Sequence, residues 1–157
     1  MTNFQRVSFF NELIGNTPQR PNDNWDKANT QFQLIQEEFD ELMTALAERD
    51  VTKLRDAIAD VLVTTYGLAY ITDVNADADM LEVHRSNMGK FCHSIEEVEA
   101  TIEQYRLQGV VGRSKKKKGL WAIVSTQDQH DNTGKFFPKG KLLKSVQYFE
   151  PEFSNDF

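Results

Sequence analysis

Residues 36–50 read QEEFDELMTALAERD, and residues 54–70 read LRDAIADVLVTTYGLAY. Apolar residues recur at steps of three and four in the first stretch and crowd nearly every side of the second, which predicts two helices. Both helices also carry carboxylates among those apolar residues, and a buried carboxylate without a partner is strongly unfavourable. The fold and the chemistry therefore depend on how these two acidic helices meet.

The helical pattern defines the bounds of these two elements. The first helix is predicted over about 25–48, where one apolar stripe is expected to face the core: Ala28, Phe32, Ile35, Phe39, Leu42 and Leu46. The second is predicted over roughly 53–71, capped by Asp50 or Thr52. Because it is apolar on nearly all sides, we expect it to be the buried central helix.

Two more helices and a small β-structure are predicted downstream. A third helix is expected over 78–92, and a capping box at Ser94 begins a fourth that ends at Gly109. The period then becomes strand-like in GLWAIVS (119–125) and in KLLKSVQYF (141–149). The predicted fold is mostly α, a four-helix bundle with a small C-terminal β-hairpin.

The composition predicts a single domain over 1–157, with a helical core at about 25–109 and a C-terminal hairpin and tail at about 119–157. Of the 157 residues 39% are hydrophobic and 27% are charged, and the net charge is −6. The single cysteine, Cys92, forms no internal disulfide, and no apolar run approaches the roughly 20 residues of a membrane span. The start, MTNFQRVSFF, lacks the layout of a signal peptide, so we expect a cytoplasmic protein without a membrane partner.

The carboxylates of the first helix differ in their surroundings. Glu37 lies nearly opposite the apolar stripe, and we expect it to be solvated. Glu38 and Glu41 share a flank that Leu34 and Ala45 continue, where a neighbouring helix should pack. Like charges three residues apart repel, and more strongly where water is excluded, so a positive group is expected between them.

The second helix carries Asp56 and Asp60 on one face, and Asp60 has apolar neighbours on both sides. Lys53 and Arg55 belong to the first turn, away from Asp60. A divalent cation would satisfy four carboxylates at once: Glu38, Glu41, Asp56 and Asp60. Oxygen ligands without histidine favour Mg²⁺ or Mn²⁺.

The acidic residues have two other interpretations, a solvated helix face and a di-iron site. A single acidic pair is usually a solvated helix face, but two pairs on successive helices favour a metal site. A di-iron four-helix bundle uses Glu-x-x-His pairs, and no histidine of this chain follows a glutamate by three residues: His84, His93 and His130. Redox iron is therefore not expected.

Four motifs resemble those of the MazG-like all-α nucleoside triphosphate pyrophosphohydrolases, a group that includes phosphoribosyl-ATP pyrophosphatases and dimeric dUTPases. They are EFDE at 38–41, DAIAD at 56–60, EVHRSNMGKF at 82–91 and GKLLKSVQYF at 140–149. The family layout is ExxE on one helix and ExxD on the next. This chain departs from it, because Ala57 stands three residues before the last aspartate and the acid lies one place earlier.

The resemblance implies hydrolysis of a nucleoside triphosphate to the monophosphate and pyrophosphate, and assembly into a homodimer or homotetramer. A metal on acidic helices would neutralise triphosphate charge and lower the pKa of a bound water. Glu38 is the candidate for water activation, and the metal ligands would be Glu38, Glu41, Asp56 and Asp60. Which glutamate is the base and which is a ligand stays open.

Three further residues are candidates for binding phosphate. Asn87 and Lys90 lie three apart on the third predicted helix, although Lys90 equally fits a surface lysine near a helix end. Lys141 and Lys144 should point to opposite faces of an extended strand, and Lys144, which shares its face with Leu142, is expected to face the substrate. A charged edge strand that discourages aggregation fits Lys144 as well.

The base pocket is not readable from the sequence. Phe9, Phe10 and Trp25 fit either base stacking or the core. The MazZ type of phages that replace adenine with 2-aminoadenine is associated with guanine nucleotides, which suggests a preference for (d)GTP and a location in the host cytoplasm.

A function of another class is a non-catalytic regulatory or nucleic-acid-binding helical module. The segment RSKKKK at 113–118 would then contact phosphates, and the acidic pairs would simply be exposed. Because most lysine runs are solvated and the chain is acidic overall, no stable nucleic-acid complex is expected.

Overall fold

The structure is a computed structural model that describes residues 1–20 and 25–153. The chain forms two compact units, of which the first ends at Met80 and the second begins at Leu81. The helices of the described residues are α1 (Asn3–Leu13), α2 (Trp25–Glu48), α3 (Val51–Ile71), α4 (Ala76–Met88) and α5 (Ile95–Leu107). The strands are β1 (Gly112–Lys117), β2 (Leu120–Ser125), β3 (Gln129–His130), β4 (Phe136–Phe137) and β5 (Leu142–Leu143). The mostly α fold with a small C-terminal β-structure is confirmed, whereas the assignment to one domain stays a prediction.

Helix α1 is the element that the sequence analysis missed. Thr2 caps it through a capping box, in which its hydroxyl accepts from the backbone N–H of Gln5 and the Gln5 amide oxygen accepts from the Thr2 backbone. Val7 and Asn11 are buried, while Phe9 and Phe10 are more than half exposed. A Thr-x-x-Gln pattern at the start of the chain was the available signal.

Helices α2 and α3 form a hairpin in the first unit. The chain turns at Arg49, which has a positive φ of 56°, and Asp50 then caps α3 by accepting from two backbone N–H groups. Along α2 the least exposed positions follow steps of three and four: Ala28, Gln31, Ile35, Glu38, Leu42 and Ala45. This stripe differs from the predicted one, because it contains a glutamine and a glutamate.

The predicted apolar stripe of α2 is therefore wrong in part. Phe32, Phe39 and Leu46 are each more than half exposed, and so is Trp25 at the start of the helix. The helix predicted to be the buried central one, α3, is not covered within this single chain, since Leu62 and other apolar residues of α3 are nearly half exposed. Hydrophobicity alone could not tell a face that packs within the chain from one that this chain leaves uncovered.

Helix α3 approaches α2 closely at Gly67. A Cβ at this position would lie 2.8 Å from the Gln31 side-chain nitrogen, which donates to the Thr64 carbonyl at 3.0 Å. On the other side of α3, the rings of Phe4 and Tyr66 lie 6.0 Å apart and join it to α1. Small and polar residues thus determine how the three helices of this unit pack.

The second unit has a small core between α5 and a three-stranded sheet of order β1-β2-β5. Its buried members are Cys92, Val98, Val110, Ile123, Phe137 and Leu143. β1 pairs with β2 in antiparallel register through a two-residue turn at Lys118 and Gly119, both with positive φ. Such a turn matches the twist of a hairpin.

The predicted hairpin is confirmed in part. The strand expected at 119–125 is β2, but its longer partner is β1, the lysine run that the sequence analysis treated as solvated. The strand expected at 141–149 is limited to β5 at Leu142–Leu143. Helix α4 ends four residues earlier than predicted, because Gly89 follows it and Cys92 pairs with Trp121 as an isolated bridge.

Within the described residues, no single helix is long and apolar enough to cross a membrane, although α3 and α4 taken together, as a bent pair, have the necessary length and composition.

Candidate functional site

The four predicted metal ligands lie on the facing helices α2 and α3. Glu38 and Asp60 are partly buried, whereas Glu41 and Asp56 are exposed, as is Glu37, which confirms its predicted solvation. Burial raises the pKa of the Glu38 carboxyl above its usual value. The negative charges of Asp60, Glu41, Glu37 and Asp56, in that order, raise this pKa further. Each of the other three predicted ligands is thus close enough for its charge to act on Glu38.

Glu41 and Asp56 also line a common cleft of about 330 Å³ between the two helices. Ala45 and Ala57, both buried, are among its lining residues. Small residues at these positions leave room between the helices, so carboxylates from both helices reach the same space. Asp56 in addition lines a second, adjoining cleft.

Lys53 is the cation at this cleft, where it lines the same space as Glu41 and Asp56. The sequence predicted that Lys53 lies away from Asp60, which is not among the residues that line this cleft. Its ammonium nevertheless lies 2.6 Å from the carboxylate of Glu48 and pairs with that residue. Helix periodicity on α2 and α3 could have indicated this position, because Lys53 is three residues before Asp56.

The four carboxylates have no cationic partner among residues 1–20 and 25–153. None of the ion pairs in that part of the chain includes Glu38, Glu41, Asp56 or Asp60. Their oxygen donors are of the type that Mg²⁺ and Mn²⁺ prefer. However, no three His, Cys, Asp or Glu side chains of the described residues are grouped closely enough to hold a metal ion. The donor chemistry fits a hard divalent cation, whereas the side chains as they stand do not form a coordination site.

The three predicted phosphate-binding residues come together in the second unit. Asn87 is in the last turn of α4, and its side-chain oxygen accepts from the Lys90 ammonium at 2.6 Å. The ammonium groups of Lys90 and Lys144 lie 5.8 and 3.9 Å from the centroid of the same ring, that of Tyr148. Lys144 also pairs with Glu150 at 3.1 Å.

Tyr148 and Glu150 were missed by the sequence analysis. Both follow β5: Tyr148 lies in the segment that was expected to be a strand, and Glu150 lies just beyond that segment. They come close to Lys90 only in the folded chain. Lys141, the alternative to Lys144, lies over the ring of Phe137 instead, at 5.0 Å from its centroid. The two lysines therefore have different neighbours, although neither lies within strand β5.

The acidic helices α2 and α3 and the residue Asn87 all lie within the part of the chain that matches a known family. That family is one of MazG-like pyrophosphohydrolases. The model of the family described as phosphoribosyl-ATP pyrophosphohydrolase matches residues 6–87, which is more than half of the chain. The chain belongs to this family. Lys90, Lys144 and the whole β-structure lie beyond the matched residues.

A relative is found in Acanthamoeba polyphaga mimivirus, in a protein described as uncharacterized. It is 29% identical over 82 residues, which is 48% of this chain and 33% of that protein. The match thus spans about a third of the length of this relative.

Proposed function

We propose that this protein is a metal-dependent nucleoside triphosphate pyrophosphohydrolase, which converts a (d)NTP and water to the (d)NMP and pyrophosphate. One observation carries the proposal: four carboxylates on α2 and α3 have no cationic partner in the described residues, and three of them raise the pKa of the fourth, Glu38. Membership in a family of pyrophosphohydrolases supports the same reaction class.

Glu38, Glu41, Asp56 and Asp60 would hold Mg²⁺ or Mn²⁺. When bound, the cation would neutralise phosphate charge and lower the pKa of a coordinated water. Among the four, Glu38 is the residue proposed to accept the proton of the attacking water. Its position supports this role, because Glu38 is partly buried and the charges of Glu41, Asp56 and Asp60 all act on it.

The reaction balances with these groups. The water oxygen forms a bond to the α-phosphorus, the bond from the α-phosphorus to the bridging oxygen breaks, and pyrophosphate leaves with that electron pair. The water proton passes to Glu38. Attack at the α-phosphorus is what distinguishes this reaction from a phosphatase reaction, which would release orthophosphate.

Asn87, Lys90 and Lys144 are proposed to bind the phosphates of the substrate. Two ammonium groups and an amide supply donors that suit phosphate oxygens, and their meeting around Tyr148 supports a common role. We further propose a preference for (d)GTP, a homodimer or homotetramer, a place in the control of cytoplasmic nucleotide pools and no stable complex with nucleic acid.

A second candidate function, a nucleic-acid-binding or regulatory module, is supported by strand β1. Its basic side chains are exposed, and within the described part of the chain none of them forms an ion pair: Arg113, Lys115, Lys116 and Lys117. Titration calorimetry with Mg²⁺ and Mn²⁺, with and without nucleotide, separates the two functions. Absence of metal binding would favour the module.

The reaction is tested with Mg²⁺ and a panel of ribo- and deoxyribonucleoside triphosphates, with the products separated by ion-exchange chromatography. We expect monophosphate and pyrophosphate. A diphosphate with orthophosphate would contradict attack at the α-phosphorus.

Two amide variants test the acidic residues in the same assay. Glu38→Gln and Asp60→Asn remove one charge with little change in volume, so turnover should fall at least about a hundredfold. Glu37→Gln is the matched control, because Glu37 is adjacent to Glu38 but exposed. Equal losses at Glu37 and Glu38 would refute the assigned roles.

A further inference from the structure

The segment after β5 returns to the end of α4 and is anchored there at several points. The backbone N–H of Ser145 donates to the Lys90 carbonyl, and the hydroxyl of Ser86 donates to the Phe149 carbonyl at 2.9 Å. The backbone N–H of Glu152 donates to the Glu82 carboxylate at 3.0 Å. Residues 145–152 are therefore held at both ends and in the middle.

The ring of Phe149 strengthens this attachment. The guanidinium of Arg85 lies over it at 4.5 Å from the centroid. A Cβ at Gly89 would lie only 3.0 Å from the ring, so glycine there allows the close approach. Phe149 thus packs against α4 and against Gly89, the residue that follows this helix. Its neighbours in sequence, Tyr148 and Glu150, lie close to Lys90 and Lys144 instead.

Several positive or donor groups converge on the Glu150 carboxylate. It accepts from the Lys144 ammonium at 3.1 Å and from the Tyr148 hydroxyl at 2.7 Å. The charge of Lys90 acts on it as well, and together these groups lower the pKa of the Glu150 carboxyl. The carboxylate thus has the surroundings that an anionic ligand would need.

The Glu150 contact is also weak enough to be replaced. Its side chain is 74% exposed, and that of Lys144 is 47% exposed. Exposed ion pairs contribute little, because water screens both charges and solvates both groups well when they separate. A phosphate group carries more charge than a carboxylate and has more acceptor oxygens, so it competes well for the same donors.

We propose that Lys90, Lys144 and the Tyr148 hydroxyl form a phosphate-binding site in the second unit, and that Glu150 is the internal anion that a phosphate group of a polyphosphate displaces. The choice of a polyphosphate as ligand rests on the function proposed above. The site itself rests on the contacts within residues 81–153. Tyr148 contributes twice, since its ring face supports both ammonium groups and its hydroxyl donates to the bound anion.

The test measures binding of two ligands by titration calorimetry at low ionic strength without metal. The ligands are inorganic pyrophosphate and an α,β-imido analogue of dGTP, which cannot be cleaved at the proposed bond. Glu150→Gln should tighten binding about two- to fivefold, which corresponds to the loss of one exposed ion pair. Glu152→Gln is the matched control, because it removes the same charge from the same segment, and the hydrogen bond of Glu152 to Glu82 is made by its backbone N–H.

Two lysine variants complete the design. Lys144→Ala should weaken binding of both ligands, whereas Lys141→Ala should leave it unchanged, because Lys141 lies over Phe137 and away from Tyr148. Thermal unfolding of each variant checks that the second unit stays folded. The proposal is overturned if Glu150→Gln binds no more tightly than Glu152→Gln, if the two lysine variants lose affinity equally, or if neither ligand binds any variant.

Failure of this site and failure of the proposed reaction can be distinguished. If Glu150→Gln gains affinity but the triphosphate panel shows no hydrolysis, the phosphate site stands and the proposed function falls. If hydrolysis occurs and Glu150→Gln gains no affinity, the proposed function stands and the phosphate site falls. A gain for pyrophosphate alone would show that the site takes a free polyphosphate, whereas a gain for the analogue as well would show that it takes the nucleotide.

Discussion

The two units of this chain differ in where their apolar side chains lie. The most deeply buried side chains of the described residues all belong to the second unit: Ile123, Leu143, Val110, Thr101, Cys92 and Ser125. In the first unit large apolar side chains are exposed on every helix, and examples are Phe10, Phe39, Met43, Ile58 and Leu62. One helix and a sheet thus complete a core in the second unit, whereas α1, α2 and α3 leave large apolar side chains exposed in the first.

The exposed apolar side chains of the first unit would be more stable if a partner buried them. Contiguous apolar surface of this kind usually marks an interaction site. In the proposed homodimer or homotetramer these side chains would be buried, because α2 and α3 of one copy would pack against those of another. The same helices carry the acidic residues, so assembly and the candidate metal site would depend on the same pair of helices.

The largest effect should come from placing a charge among the exposed apolar side chains of the first unit. Light scattering of the wild type at micromolar concentration should give a multiple of 18.1 kDa. Phe39→Glu places a charge on a side chain that is 52% exposed in the single chain, and it should reduce the mass to that of one chain. Phe136→Glu, at a side chain 47% exposed in the second unit, should leave the assembly intact. A wild-type mass of one chain would refute the proposed homodimer or homotetramer.

An intermediate effect is expected from the core of the second unit. Leu143 is 0% exposed and Leu107 is 65% exposed. Leu143→Ala should lower the free energy of unfolding by about 2–5 kcal/mol, because it leaves a cavity. Leu107→Ala makes the same chemical change and should cost less than about 1 kcal/mol. Urea unfolding of the two variants, followed by far-UV circular dichroism, measures both values. Similar losses would show that the second unit has no core of its own.

The smallest effect concerns the charge of Glu38. Its pKa is raised in the folded chain, so its favourable contribution to stability is complete below the ordinary value of 4.5 and is lost as the pH rises through the raised pKa. Without metal, Glu38→Gln should therefore melt at a higher temperature than the wild type at pH 7. This difference should disappear below about pH 4.5.

Glu37→Gln and added metal are the controls for that melting experiment. Glu37 is exposed, and its charge is only one of several that act on Glu38, so its variant should melt closer to the wild type than Glu38→Gln does. Mg²⁺ should raise the melting temperature of the wild type more than that of Glu38→Gln, because ligand binding stabilises the folded state. A Glu38→Gln variant that melts at a lower temperature than the wild type at pH 7 would contradict the repulsion inferred here.

Local patterns predicted the helices whose signals are local. The bounds of α2 match the prediction, α3 starts two residues earlier, and the cap at Ser94 begins α5. The direction of the α2 stripe was not predictable, because Phe32 and Phe39 are as apolar as core residues. Strand β1 was missed for the opposite reason, since four of its six residues are basic and its strand character comes from pairing with β2.

The candidate site shows the same difference between residues with local sequence signals and residues that come together only through packing. The acidic residues were recognisable because Glu38 and Asp60 stand among apolar residues on their own helices. Lys53 was not assigned to the cleft, because its position beside Glu41 and Asp56 depends on how α2 and α3 pack. Tyr148 and Glu150 could not be assigned, because Tyr148 meets Lys90 across more than fifty residues of sequence.

The close approach at Gly67 extends the role of that glycine beyond its own position. Gly67 follows Asp60 by two helical turns, about 10 Å along α3. A side chain at Gly67 would displace the Gln31 amide, which now donates to the Thr64 carbonyl across the two helices. The absence of a side chain at Gly67 thereby preserves a polar link between α2 and α3 on the same pair of helices that carries the four carboxylates.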